Sequence, residues 1–167
     1  YLYIKTGLIF QHIALFYTSI FFLGSLGNLI FPNIEPWAGG LFLFSTGLIW
    51  GLYTLNEVLE PSWLGYLLAS STISIGSIIF INDLVGSNNL LEIILLILGS
   101  IIFVWGSIQL SEQVIFFIGG LGLIINLPRL ITELLPDNIW PPLILFMVGG
   151  VLVAVGLYLN SIRENLK

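Results

Sequence analysis

Few residues in this chain have the means to do chemistry, and they can be weighed one by one. His12 is the only histidine, and Gln11 beside it would point about 100° away round a helix. A lone imidazole can relay a proton, or ligate a haem if a partner supplies the second ligand. Haem held between helices commonly uses paired histidines, and a second one is missing. The role expected for His12 is a hydrogen bond to a neighbouring helix or to an interfacial carbonyl. Four acids, Glu57, Asp83, Glu92 and Glu112, fall within about one and a half helical turns of the ends of long apolar runs. A carboxylate there can reach water, so all four are expected as solvated ends. Proton pumps and many cation-coupled carriers need a carboxylate near mid-membrane, and no acid occupies that depth.

The third apolar run is the most polar of its kind, with Ser70, Ser71, Thr72, Ser74 and Ser77 around Gly76. Small hydroxyl residues let helices approach and return hydrogen bonds to their own backbone, which is the structural role expected of them. The functional alternative is a polar path for a small solute, lined by Thr72 and Gly76 on one face with Asn126 or Asn28 opposite. Sequence signatures of catalysis are missing: the only histidine has no recognisable serine partner, and there is no His-Glu-x-x-His, no phosphate loop and no pair of aspartates within an apolar run. A non-enzymatic protein without a cofactor or metal is expected. With no cysteine, disulfides, thiolate zinc sites and cysteine nucleophiles are excluded.

These residues must be positioned by helices in lipid. Of 167 residues 57% are hydrophobic and 8% charged, too few charges to give a soluble domain its surface. Leu90–Leu110 carries one charge, Glu92 near its start, over a length that covers the roughly 30 Å hydrocarbon core of a bilayer. Runs of this kind recur at about 7–30, 37–58, 63–85, 89–110, 114–135 and 140–161. Unbroken apolar runs without two-residue alternation read as helices, not barrel strands. The expected fold is all-α, a polytopic membrane protein of six transmembrane helices in one integral domain. Pro128 should kink or stop the fifth span near Leu127, leaving 129–135 as a short interfacial helix.

The net charge of −5 is scattered and not gathered into a patch, and four Lys/Arg cannot make a nucleic-acid footprint. With six spans, Lys5, Arg163 and Lys167 share one face against Arg129 on the other, which places both termini in the cytoplasm of a cell membrane. Trp37 and Trp140 would then mark the outer interface, Trp63 and Trp105 the inner one, and Trp50 would lie deeper. The abrupt start at Tyr1 suggests a portion of a longer chain.

Glycines seven residues apart recur as Gly40/Gly47, Gly99/Gly106 and Gly149/Gly156, and Gly47 with Gly51 forms a Gly-x-x-x-Gly pair. Such spacing opens a flat stripe for a neighbouring helix, so these seven are the expected packing positions. Loop lengths group the spans as three antiparallel hairpins, about 7–58, 63–110 and 114–161, with the glycine spacing hinting at a pseudo-repeat.

The last hairpin, with Gly119-Gly120-Leu121-Gly122, Asn126-Leu127-Pro128-Arg129, Val148-Gly149-Gly150-Val151-Leu152 and Gly156-Leu157-Tyr158-Leu159, resembles the end of certain bacterial multi-pass membrane proteins of unknown function. The resemblance covers about 50 residues. It implies the bacterial inner membrane and brings no activity with it. The function expected is that of a structural or interaction module, with the bilayer, other membrane subunits or the missing part of its own chain as partners. The alternative is a passive or weakly coupled transporter of a small neutral or lipidic solute.

Overall fold

The structure, a computed structural model, describes residues 9–30, 35–86 and 89–134, together with Phe146, Gly149, Gly150, Val153, Ala154, Leu157, Tyr158 and Ser161. Among the described residues it is all helix, with no strand. Five elements run in order: α1 (Ile9–Ile30), α2 (Pro36–Leu55), α3 (Ser62–Val85), α4 (Leu90–Leu110) and α5 (Gln113–Leu134). Each is long and apolar enough to cross a membrane. The sixth expected span falls largely outside the described residues; the eight positions described there are helical.

The chain forms two compact units, Tyr1–Leu84 and Val85–Lys167. In the first, α2 and α3 meet along a seam that small residues make possible. A Cβ built on Gly40 would stand 2.5 Å from the Phe80 nitrogen, and one on Gly76 would stand 2.5 Å from the Phe44 nitrogen. Further along, Gly47 lies against Ala69 and Ile73, and Thr54 against Gly65. As the contact moves toward the C-terminus of α2 it moves toward the N-terminus of α3, so the pair is antiparallel. Gly40, Gly47 and Thr54 are seven residues apart, the period at which a seam stays on one side of a helix that supercoils gently to the left.

The second unit repeats the arrangement with other residues. In α4 the buried positions Ile93, Ser100 and Ser107 are again seven apart. Gly119 of α5 fits against Ser100, Phe103 and Val104, and Gly122 fits against Ser100. The close glycine contacts within each unit thus lie between the second and third spans and between the fourth and fifth, and the first span meets the second through Phe16 and Trp50. The reason is physical: a short loop allows two helices to pair, but close approach needs small residues in register on both of them.

Helix ends follow local rules. α2 stops at Leu55, three residues short of the expected end, because Asn56 Nδ2 donates to the Leu52 carbonyl and Glu57 takes a left-handed conformation, φ 58°. The Val58 amide then donates to the Tyr53 carbonyl and the Glu57 amide to the Thr54 carbonyl, which closes the helix end as a Schellman turn. α4 ends in the same way, with Ser111 at φ 54° and the Glu112 amide donating to Ser107. At the other end of α2, Asp83 from α3 accepts from the Trp37 amide at 2.9 Å and Glu35 accepts from its indole at 2.6 Å, so two acids face a helix N-terminus where negative charge is favoured.

Of the two outcomes expected at Pro128, a kink or a stop, the stop is not observed: α5 continues through Pro128 as one helix to Leu134, so 129–134 is not a separate interfacial helix. Proline cannot donate to the Ile124 carbonyl, but side chains brace the helix on both sides of the gap. Asn126 Nδ2 donates to the Gly122 carbonyl, Arg129 donates to Asn126, and Thr132 donates to the Arg129 carbonyl.

Candidate functional site

Two clusters place ionisable side chains out of contact with solvent, one in each unit. In the first unit His12 is fully buried. Trp50, near the end of α2, donates its indole N–H to His12 Nε2 at 3.1 Å, and the imidazole also makes a backbone hydrogen bond with Glu60 in the connector before α3. An Nε2 that accepts a hydrogen bond carries no proton, so the ring is held as the neutral tautomer protonated at Nδ1. Phe16, one turn further along α1, packs edge-on against Trp50 with ring centroids 5.0 Å apart. Leu59 and Ala69 complete this core. His12 and Phe16 are the only buried residues of α1 among those described.

In the second unit Glu92 is 2% exposed. Arg129 Nη2 donates to both of its oxygens, at 3.2 and 3.4 Å, while Nη1 donates to Asn126 Oδ1 at 3.2 Å. The guanidinium side chain is 36% exposed, so the pair is sealed at its acidic end and open at its basic end. The solvated role expected for Glu92 is thus replaced by a buried ion pair. Glu92 opens α4 and Arg129 closes α5, and antiparallel packing brings these ends to one level. The sequence carries that signal in the matching depths of the two residues, which is visible only when the charges are taken as a pair.

The other sequence-selected acids stand differently. Glu57 and Asp83 are exposed. Glu112, in the turn between α4 and α5, is half-buried, and desolvation raises its carboxyl above the ordinary 4.5. Because the fold binds this proton more tightly than the unfolded chain, stability falls as pH rises from the ordinary value through the raised one, and the loss is complete above it. Glu112→Gln is expected to stabilise the protein at neutral pH and to flatten this part of the profile, measured by thermal unfolding in detergent from about pH 4 to 8.

The remaining selected residues are distributed as follows. Gly40, Gly47 and Gly76 lie in the α2–α3 seam, and Gly51 meets Ala69 in ordinary contact at 3.6 Å. At Gly99, Gly106 and Gly149 an added Cβ would have no neighbour within 4 Å. The packed face of α4 runs through Ser100, Val104 and Ser107, about 100° round the helix from Gly99 and Gly106. Gly156 lies outside the described residues. The residues of the polar path are divided between the units, Thr72 and Gly76 in the first and Asn126 in the second. The Thr72 hydroxyl donates to the Leu68 carbonyl at 2.6 Å, Gly76 is closed off by Gly40 and Phe44, and Asn28 is exposed. Among the described residues there is no group of three His, Asp or Glu side chains able to hold a metal ion.

No family model, curated protein or solved structure matches this chain.

Proposed function

We propose that this chain is a multi-pass integral membrane protein that serves as a structural or interaction module, with six spans and both termini in the cytoplasm. The observation that carries the reading is where the buried polar groups direct their hydrogen bonds. Thr46, Thr54, Ser70, Thr72, Ser100 and Ser107 each donate to a carbonyl three or four residues back in their own helix, and Asn82 Oδ1 is the buried side-chain atom left without a partner among the described residues. Asn126 and Arg129 are engaged with their neighbours in the same unit. Polar groups used in this way let helices pack in lipid, and they are not presented to a passing solute. Large apolar side chains such as Phe10, Phe21, Leu29, Ile102 and Trp105 are exposed, as lipid-facing positions require. A lipid bilayer and other membrane subunits are the partners this reading implies, and the weak bacterial resemblance makes the inner membrane the proposed location.

The function is tested on protein extracted from its own membrane. Native mass spectrometry should find a protein subunit bound in fixed stoichiometry, and vesicles carrying the purified chain should pass small neutral solutes no faster than empty vesicles. Solute flux above the empty-vesicle rate would replace the module with the transporter. Topology is a separate expectation: cysteines placed at positions 34 and 137 should react with an impermeant reagent from outside the cell, and those at 60 and 112 only from inside. The opposite pattern would invert the proposed orientation.

A further inference from the structure

We infer that His12, Trp50 and the Glu60 backbone form a proton-released latch that holds α1 against its unit. The latch concerns the contact of α1 with α2, and it goes beyond the module reading. Its basis is geometric. The Trp50 indole can only donate, so the bond at 3.1 Å exists only while His12 Nε2 has a lone pair to offer. A proton on Nε2 turns the acceptor into a donor that faces another donor in a site with no access to solvent. Two N–H groups pointed at each other in a dry site are repelled, and the imidazolium gains by turning out toward water.

The packing of α1 centres on this cluster, with Ile20 lying against the same core. Among the described residues its buried side chains are His12 and Phe16 alone, and Phe16 rests on the same Trp50 ring. From Phe21 to Ile30 every residue is exposed except Gly27, which is half-buried. Losing the His12–Trp50 hydrogen bond therefore removes a polar contact between α1 and α2 and loosens the ring on which Phe16 rests. The latch sits at the level of the connector between α2 and α3, beside Glu60, so protons reach it from the aqueous side once it begins to open. The titratable groups on the elements packed here are Tyr17 on α1, Tyr53 on α2, Glu57 and Glu60 in the connector, and Tyr66 and Asp83 on α3. Glu57 and Glu60 are exposed, and their negative charge favours an imidazolium that has turned outward.

The single histidine makes the test clean. Protein labelled with 15N-histidine in lipid nanodiscs should show one imidazole, in the Nδ1–H tautomer at neutral pH. Lowering the pH through the acid range should convert it to imidazolium, and the Trp50 fluorescence, isolated as the difference from Trp50→Phe, should shift to the red with the same midpoint and the slope of one proton. His12→Gln keeps an acceptor and cannot titrate, so its Trp50 emission should stay constant over that range. An imidazole that stays neutral with unchanged Trp50 emission would overturn the latch. So would an emission change that persists in His12→Gln, which would assign the response to the carboxylates.

Discussion

Replacing Arg129 by Met should cost this protein about 3 kcal/mol, the size expected when a buried ion pair loses one partner. The cost arises on the other residue. Glu92 is 2% exposed and receives two hydrogen bonds from Arg129, so without the guanidinium its carboxylate stays buried and loses both of them. Glu92→Gln should cost less, because the partly exposed Arg129 can turn toward water and keeps its bond to Asn126. Combining Glu92→Gln with Arg129→Met should recover much of the loss from the single Arg129 change. Thermal unfolding of the four proteins in one detergent measures this asymmetry. Equal losses from the two single variants would mean that the acidic end is as open to solvent as the basic end.

Gly76→Ala should lower stability by about 2–3 kcal/mol, although it adds one methyl group. The new Cβ would stand 2.5 Å from the Phe44 nitrogen and 2.7 Å from the Gly40 carbonyl oxygen, and both are backbone atoms with no rotamer to change. The helices must separate along the seam, which loosens the Gly47 and Thr54 contacts as well. Gly106→Ala is the control. With no neighbour within 4 Å, it should gain up to about 1 kcal/mol from the better helix former. Even Gly106→Leu, which the glycine spacing would expect to disrupt packing, should leave the melting temperature unchanged. A loss at Gly106 equal to that at Gly76 would restore the seam read from the sequence.

This contrast shows what the sequence could convey. Span positions were legible because a 20-residue apolar run has few structural options, and the five described helices start and stop within three residues of where hydropathy placed them. Which face of each span packs was not legible from one helix at a time. Gly40/Gly47 and Gly99/Gly106 share a spacing, yet among the described residues a Cβ on the first pair would meet a partner helix and one on the second would meet nothing within 4 Å. The seam of α4 is made by Ser100 and Ser107, small residues that glycine spacing does not reveal. Whether Pro128 ends α5 depends likewise on Asn126, Arg129 and Thr132, whose bracing appears only once the side chains are placed. The burial of Glu92 likewise required a partner 37 residues away.

The hydroxyl groups that bond within their own helices bear on how this chain is made. A span whose polar groups are already satisfied can leave the insertion machinery for lipid alone, before its neighbours exist. α3 is of this kind in its hydroxyls, since Ser70, Thr72 and Ser77 carry their acceptors with them, whereas its buried Asn82 Oδ1 has no partner. α4 is not, because Glu92 is synthesised 37 residues ahead of the arginine that will neutralise it. Its place at the first turn of α4 resolves the difficulty: the carboxylate can wait among the lipid headgroups while α5 is being translated, and it enters the protein interior when Arg129 arrives. Ribosome-bound intermediates ending before residue 129 should therefore hold α4 about one turn shallower in the bilayer than the finished protein does.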